Sequence, residues 1–384
     1  MKQITGLVDR SYGVITKERN LELLHIFKNF PVFFGCTNQP AEHDYATDMI
    51  WEIETATGLI QLSKLVPLEI LYMEQHVDAV GKTWNEYYEA FTDFIVKNKK
   101  GSILEIGGGS GKLAKNVLAK DISLEYTMME PNPTFEETER LKVIREFFTK
   151  DTVVETKGIQ TVVFSQVLEH AYDPDAFLDN IYGFLPVDGR LVFAYPNLEN
   201  WFANKYTNAI NFEHTFLLTD YFVDFLLKKI GFVITEKTAY KNHSHFYVAV
   251  KIDSKNDNAA IELPNRYVHY KNMFGEFIQY HTTLVAELNQ RINETDSNIY
   301  LFGAHIFSQF LFAFGLNDKK IRYILDNSPL KQEKRLYGSS LMVKAPSFLS
   351  TDPNPKVILK AGIYNEEIKK DILQNINPST EFWE

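Results

Sequence analysis

Residues Gly101 to Ala114 read GSILEIGGGSGKLA. Ser102 to Ile106 form a short apolar run carrying Glu105, Gly107 to Gly111 form a glycine-rich turn, and Lys112 opens a helical pattern through Leu113, Val117 and Leu118. Strand, turn and helix in that order present free backbone N–H groups and the positive end of a helix dipole, and the glycines let a ligand approach the main chain. The stretch predicts an α/β sheet with something small and polar bound at this turn.

Spacing separates the cofactor classes that use such turns. A Walker loop needs glycine five residues before Gly111 and Ser or Thr after Lys112, where Ile106 and Leu113 stand, so ATP is disfavoured. The dinucleotide fingerprint needs a glycine in place of Lys112, so NAD is disfavoured too. The pattern from Glu105 to Gly111, E-x-G-x-G-x-G, resembles the first motif of class I S-adenosylmethionine-dependent methyltransferases, in which the turn passes under the methionine part of the cofactor. That resemblance implies S-adenosylmethionine at Glu105, Gly107, Gly109 and Gly111. Glu130 follows a second strand, Glu125 to Met129; a carboxylate at a strand end about twenty residues past the turn suits the two hydroxyls of a ribose.

Composition sets the outer bounds. The 384 residues allow two or three domains with their own cores, and 45% hydrophobic with 23% charged residues is ordinary for a globular protein. A net charge of −10 argues against nucleic acid as the general partner. Cys36 is the only cysteine, so no disulfide and no cysteine-ligated metal site forms within the chain. The opening residues lack an apolar leader core and no run has the length of a membrane span, which predicts a cytoplasmic protein.

Beyond the turn, the chain resembles the nucleotide-sugar C-methyltransferases. Gly58 to Leu62, GLIQL, resembles the end of their small zinc-binding N-terminal domain, but the thiolate positions are Glu54 and Thr57 here. No metal is expected: the domain should hold by packing alone, and His43 and Asp44 read as surface polar groups. In the family a Y-x-Y-x-S stretch lines the substrate pocket; here His76-Val77-Asp78 occupies that place after Tyr72, so Tyr72, His76 and Asp78 become the substrate-binding candidates with altered donors and acceptors. Gln160 to Phe164 reads as a further strand, and Gln166-Val167-Leu168-Glu169-His170 resembles the family's N-V-L-E-H at the mouth of the site, which makes Gln166 a cofactor contact and His170 a catalytic candidate. Asp151 is the nearest acidic candidate for the adenine. Glu213-His214 resembles the pair that the family uses near the reacting carbon.

The expected organisation is a small zinc-less domain over 1–70, a Rossmann-like methyltransferase domain over 71–252, a polar linker over 253–265 and, over 266–384, a long helix with a second Rossmann-like domain that has a single glycine, Gly303, at its first turn. The resemblance implies an enzyme that removes a proton next to a ketone of a nucleotide sugar and methylates that carbon. His214 would be the base or proton carrier, Glu213 would orient it, and His170 would polarise the ketone or shuttle the proton. Two rivals stand beside this reading: an O-methyltransferase acting on a hydroxyl of a sugar or other polar metabolite, and a cofactor-binding scaffold without turnover.

Overall fold

The computed structural model describes residues 1–73, 82–135, 137–152, 154, 158–253 and 265–384. The first strands, β1 (Lys2–Gln3), β2 (Leu21–Pro31), β3 (Tyr45–Glu54) and β4 (Ile60–Leu62), form a four-stranded sheet in which β3 lies between β1 and β2 and also pairs with β4. Met49, Trp51 and Ile53 alternate along β3 and are fully buried, as one face of a pleated strand requires. At the end of β3, Glu54 is buried and accepts hydrogen bonds from the Thr57 hydroxyl and from the Thr16 N–H at 2.9 Å and hydroxyl. A Cβ on Gly13 would fall 1.7 Å from the Glu54 carboxylate, so glycine there makes room for it. The corner where the resembled family has zinc thiolates is thus held by hydrogen bonds as well as packing.

Asp44 corrects the sequence reading. It is 1% exposed and grips the Arg335 guanidinium in two parallel contacts, Oδ2 to Nη1 at 2.7 Å and Oδ1 to Nη2 at 2.6 Å, with the Gly338 N–H donating to Oδ2 at 2.8 Å. Its partner lies nearly three hundred positions away, where no local pattern could reveal it. His43, by contrast, is exposed.

After α1 (Leu68–Leu71) and α2 (Lys82–Asn98), the central sheet is built from β5 (Ser102–Ile106), β6 (Tyr126–Met129), β7 (Leu141–Ile144), β8 (Ile159–Ser165), β9 (Arg190–Pro196), β10 (Phe232–Tyr240) and β11 (Ser244–Lys251), in the order β7-β6-β5-β8-β9-β11-β10. Helix α3 (Lys112–Lys120) joins α2 on one face, where Tyr87, Phe91, Leu113 and Val117 share a core with Ile103 and Val163. The other face carries α4 (Pro174–Phe184), then α5 (Leu198–Ala203) and α6 (Asp220–Ile230), with Leu178, Ile181 and Leu226 packed in one core with Leu104, Phe164 and Phe193. Neighbouring residues such as Val163 and Phe164 point to opposite cores, which is the period-two signature of a sheet covered on both sides. Asp173 caps α4 by accepting from the Ala176 N–H at 3.2 Å, and Gly231, at φ 111°, ends α6 in the left-handed conformation.

The sheet ends in a hairpin. Only residues 241–243 separate β10 from β11, too few for a parallel crossover, so β11 runs antiparallel to both β9 and β10. Helix α7 (Tyr267–Glu294) follows, buried along Tyr270, Phe274, Phe277, His281, Leu284, Leu288 and Ile292, while Tyr267 and Ile278 are only partly covered. Its first half packs on the central unit, where Phe277 stacks on Phe202 with ring centroids 4.3 Å apart, and Leu284, Leu288 and Ile292 enter the core of the last sheet. That sheet, β12 (Ile299–Phe302), β13 (Ile321–Leu325), β14 (Val343–Lys344), β15 (Lys356–Leu359) and β16 (Glu381–Trp383), is parallel throughout in the order β14-β13-β12-β15-β16. No helix among the described residues is long and apolar enough to cross a membrane.

Candidate active site

The glycine turn leaves β5 with φ of 74° at Gly107, 52° at Gly109 and 69° at Gly111, values that favour glycine. Its glycines do different work. A Cβ would fall 2.7 Å from Val167 at Gly107, 2.0 Å from the Met128 sulfur at Gly108 and 2.4 Å from the Phe135 ring at Gly111, whereas at Gly109 it would meet nothing within 4 Å. Three of the glycines are therefore required by packing, and Gly109 faces the open side where a ligand can approach. Glu130, at the end of β6, stands against that side: its Oε2 accepts from the Gly109 N–H and its Oε1 from the Asn132 N–H, each at 3.0 Å. Each carboxylate oxygen keeps acceptor capacity for a hydroxyl, so turn and carboxylate fit the adenosyl cofactor expected from the sequence.

Two cofactor candidates sit differently from expectation. Glu105 is 2% exposed inside the sheet, where the Tyr126 hydroxyl donates to it at 2.9 Å and burial pushes its carboxyl up to about 7. It supports the turn from beneath, and its contact is Tyr126. Gln166, at φ 58°, is strained for a residue with a side chain, and its amide nitrogen donates to the Tyr87 hydroxyl at 2.9 Å and to Ser244 Oγ at 3.2 Å. Its amide group thereby fixes the mouth of β8 to α2 and β11. Asp151 is exposed in a turn.

The second half of the site comes from the turn after β8 and from residues 209–217. Asn211 Oδ1 accepts from the N–H groups of Glu213 at 2.7 Å and His214 at 2.8 Å, a side-chain turn that fixes the pair. The Thr215 N–H donates to the Glu169 carbonyl at 3.0 Å and its hydroxyl to the Ala171 carbonyl at 2.7 Å. On its other side the segment is bound by β4: the Leu62 N–H donates to the Thr215 carbonyl at 2.9 Å and the Leu217 N–H to the Ile60 carbonyl at 2.7 Å. The N-terminal sheet thus holds the segment that carries Glu213 and His214.

These contacts bring His170 and His214 together with ring centroids 5.4 Å apart. Glu213 was expected to orient His214; His214 Nδ1 donates to the Ala209 carbonyl at 3.0 Å, which leaves Nε2 as its accepting nitrogen. The group that fixes the His214 ring is thus a carbonyl five residues earlier. His170 Nδ1 is 3.2 Å from the Tyr72 hydroxyl, and the Tyr72 carbonyl accepts from Asn132 Nδ2 at 2.9 Å. Tyr72 therefore bridges the Glu130 side of the site to the histidines. His76 and Asp78 lie outside the described residues.

Burial dominates the electrostatics. Glu169 is fully buried and its carboxyl is pushed up to about 8, first by burial and then by Glu213, with only its own main-chain N–H opposing; among the described residues neither oxygen has a hydrogen-bond partner of proper geometry. Burial pushes Glu213 up to about 8 as well and His214 down to about 4, the Ala209 carbonyl opposing the latter. Tyr72 is held well above the usual phenol range by burial and by the surrounding acidic groups, Glu213 foremost. The neutral His214 imidazole, the His170 ring beside it and two proton-holding carboxyls in one buried corner form a set able to take and return protons. Sequence reasoning had no signal for the burial of Glu169, nor for Arg10, whose guanidinium donates to the Thr215 carbonyl. The asparagine two residues before a functional pair was the one local clue.

Two family models match the chain: a methyltransferase domain over residues 81–237 and a C-methyltransferase C-terminal domain over residues 234–382. Among solved structures, human N-acetylserotonin methyltransferase in complex with S-adenosylmethionine is similar at 18% identity over 44% of this chain and 51% of that one, with a TM-score of 0.36. A Burkholderia thailandensis 1,6-didemethyltoxoflavin-N1-methyltransferase with bound 1,6-didemethyltoxoflavin and S-adenosylhomocysteine is similar at 14% identity over 46% and 94%, with a TM-score of 0.33. Likenesses this distant carry no argument about the acceptor. No curated protein sequence matches the chain. The chain is an enzyme, a methyltransferase with a class I Rossmann-like fold, and its cofactor is S-adenosylmethionine.

Proposed function

We propose that this S-adenosylmethionine-dependent methyltransferase methylates a sugar, carried on a nucleotide, at a carbon beside a ketone. The observation that carries the reading is the corner built by Glu213, His214, His170 and Tyr72. A carbon acceptor must lose a proton before it can attack, and this corner is equipped to remove one. The match of residues 234–382 to a C-methyltransferase C-terminal domain supports the same choice.

The cofactor, when bound, supplies an electrophilic methyl group. Gly109 lets it approach the main chain, Glu130 accepts from its ribose, and Glu105, Gly107, Gly111 and Gln166 keep the turn and the mouth of β8 in shape. The Glu213–His214 pair takes the proton from the acceptor carbon, and the electron pair left behind passes toward the ketone oxygen, which His170 polarises. Tyr72, with His76 and Asp78, belongs to the acceptor side. In this reading residues 1–70 brace the site, residues 71–252 bind the cofactor, residues 253–265 link, and residues 266–384 cover the acceptor. The enzyme works in the cytoplasm on a small molecule, with nucleic acid and membrane playing no part.

The test is methyl transfer from labelled S-adenosylmethionine to nucleotide-linked keto sugars, with carbon NMR of the product. A new carbon–methyl bond supports the reading; a methyl ether moves the enzyme to O-methylation.

A further inference from the structure

We propose that Glu169, His170 and His214 hold one divalent cation. One ligand atom from each of the three lies within 4.8 Å of the others. Ligand atoms bound about 2.1 Å from a common ion sit about 3.4 Å apart, so modest side-chain rotation closes the set.

The carboxylate is the decisive member. Glu169 has 0% exposure and both of its oxygens lack a hydrogen-bond partner among the described residues. No lysine or arginine among these residues reaches it; the contact to be found is His170 Nε2, 3.9 Å from Oε1. A buried carboxyl in that state is costly unless a positive charge joins it. The histidines are prepared in the way metal ligands usually are, with the second nitrogen fixed by the protein: His214 Nδ1 by the Ala209 carbonyl at 3.0 Å and His170 Nδ1 by the Tyr72 hydroxyl at 3.2 Å. For His170 this leaves Nε2 on the carboxylate side, 3.9 Å from Glu169 Oε1.

Two imidazoles and one carboxylate form a set suited to zinc, manganese, iron or cobalt, with further positions open to oxygen ligands. The sequence had pointed to no metal because its reading looked for thiolates; this donor set contains none. The inference rests on the proposed reading of this corner as the place of the acceptor, where a cation would polarise the ketone oxygen as a Lewis acid. With His214 as a ligand, proton removal within the Glu213–His214 pair falls to Glu213 in its ionised form, which a neighbouring cation favours.

The experiment titrates cobalt(II) into chelator-stripped full-length protein, followed by calorimetry and visible absorption. One equivalent should bind with the absorption of a histidine-carboxylate site. Glu169→Gln and His214→Asn should each weaken binding by about a hundredfold or more, with circular dichroism and S-adenosylhomocysteine affinity retained. His170→Asn serves in the same role should either variant fail to fold. Failure of cobalt, zinc and manganese to bind at millimolar concentration, or equal affinity in wild type and folded variants, overturns the proposal. Cation binding without methylation of keto sugars would refute the functional reading alone, whereas methylation at full rate with chelator present would refute the cation alone.

Discussion

Arg10 and Thr215 lie 205 positions apart in sequence, and the guanidinium of Arg10 donates to both the carbonyl and, at 3.5 Å, the hydroxyl of Thr215. The same side chain donates to the Leu62 carbonyl from Nε at 3.0 Å and from Nη2 at 2.8 Å, and to the Tyr172 carbonyl at 3.4 Å. Arg10 is 1% exposed, and burial lowers its guanidinium to about 10, so it stays charged at neutral pH. It clamps the residue after His214 and the turn after His170 onto the N-terminal sheet.

Arg10→Met should therefore leave several buried carbonyls unsatisfied and destabilise the protein by about 3 kcal/mol. Methyl transfer should fall further than S-adenosylhomocysteine affinity, and Arg10→Lys should recover part of both. Urea unfolding together with calorimetry checks this; unchanged stability and turnover would remove Arg10 from the account.

At the glycine turn, Gly109→Val should retain the fold at a cost of about 1–2 kcal/mol for its positive φ, because its Cβ meets nothing, yet should abolish cofactor binding. Gly108→Ala should do the reverse and disturb stability through Met128 before it touches the ligand side. Calorimetry showing normal affinity in a folded Gly109→Val protein would contradict the assignment.

This turn was legible in the sequence because its strand, glycines and helix are contiguous, and the parallel strands over 125–129 and 160–164 were legible because each is a short apolar run between turns, whereas Leu141–Ile144, with Lys142 within it and Arg145 beside it, was not. Glu213-His214 was legible as a pair. The source of its orientation was not, since Ala209 contributes only a carbonyl and any residue could. The Arg10 clamp and the Asp44–Arg335 pair were hidden for a related reason: each is made by chain segments hundreds of residues apart. Asp44 beside an exposed His43 looks like surface, and only the arrival of Arg335 changes that. Glu169 was read as part of a phrase, and burial without a partner is a property that no sequence phrase carries.

Breaking the Asp44–Arg335 pair on one side should be severe. Arg335→Met leaves a buried carboxylate without its cation and should cost about 3–5 kcal/mol. The double variant Asp44→Asn with Arg335→Met should be less damaged than the single one. Denaturant midpoints decide, and a single variant as stable as the wild type would show that the pair contributes nothing.

Glu105 predicts a pH effect. Its carboxyl is raised in the folded state to about 7 from an ordinary 4.5, so the native protein binds the extra proton. The resulting stability is present below about 4.5 and is lost as pH rises through about 7, a contribution of up to about 3 kcal/mol. Glu105→Gln should flatten that part of the profile measured by urea unfolding between pH 5 and pH 8, to the extent of about 3 kcal/mol. An identical slope in the variant would contradict the assigned state of Glu105.

The most direct test of proton removal from carbon is exchange of the acceptor's α proton in deuterated water, with a nucleotide-linked keto sugar and S-adenosylhomocysteine present. The wild-type enzyme should exchange that proton without transferring a methyl group, and replacement of Glu213 by Gln or of His214 by Asn should slow exchange by about a hundredfold or more while cofactor affinity holds. Methyl transfer to the same sugar by an enzyme that never exchanges the proton would contradict the account.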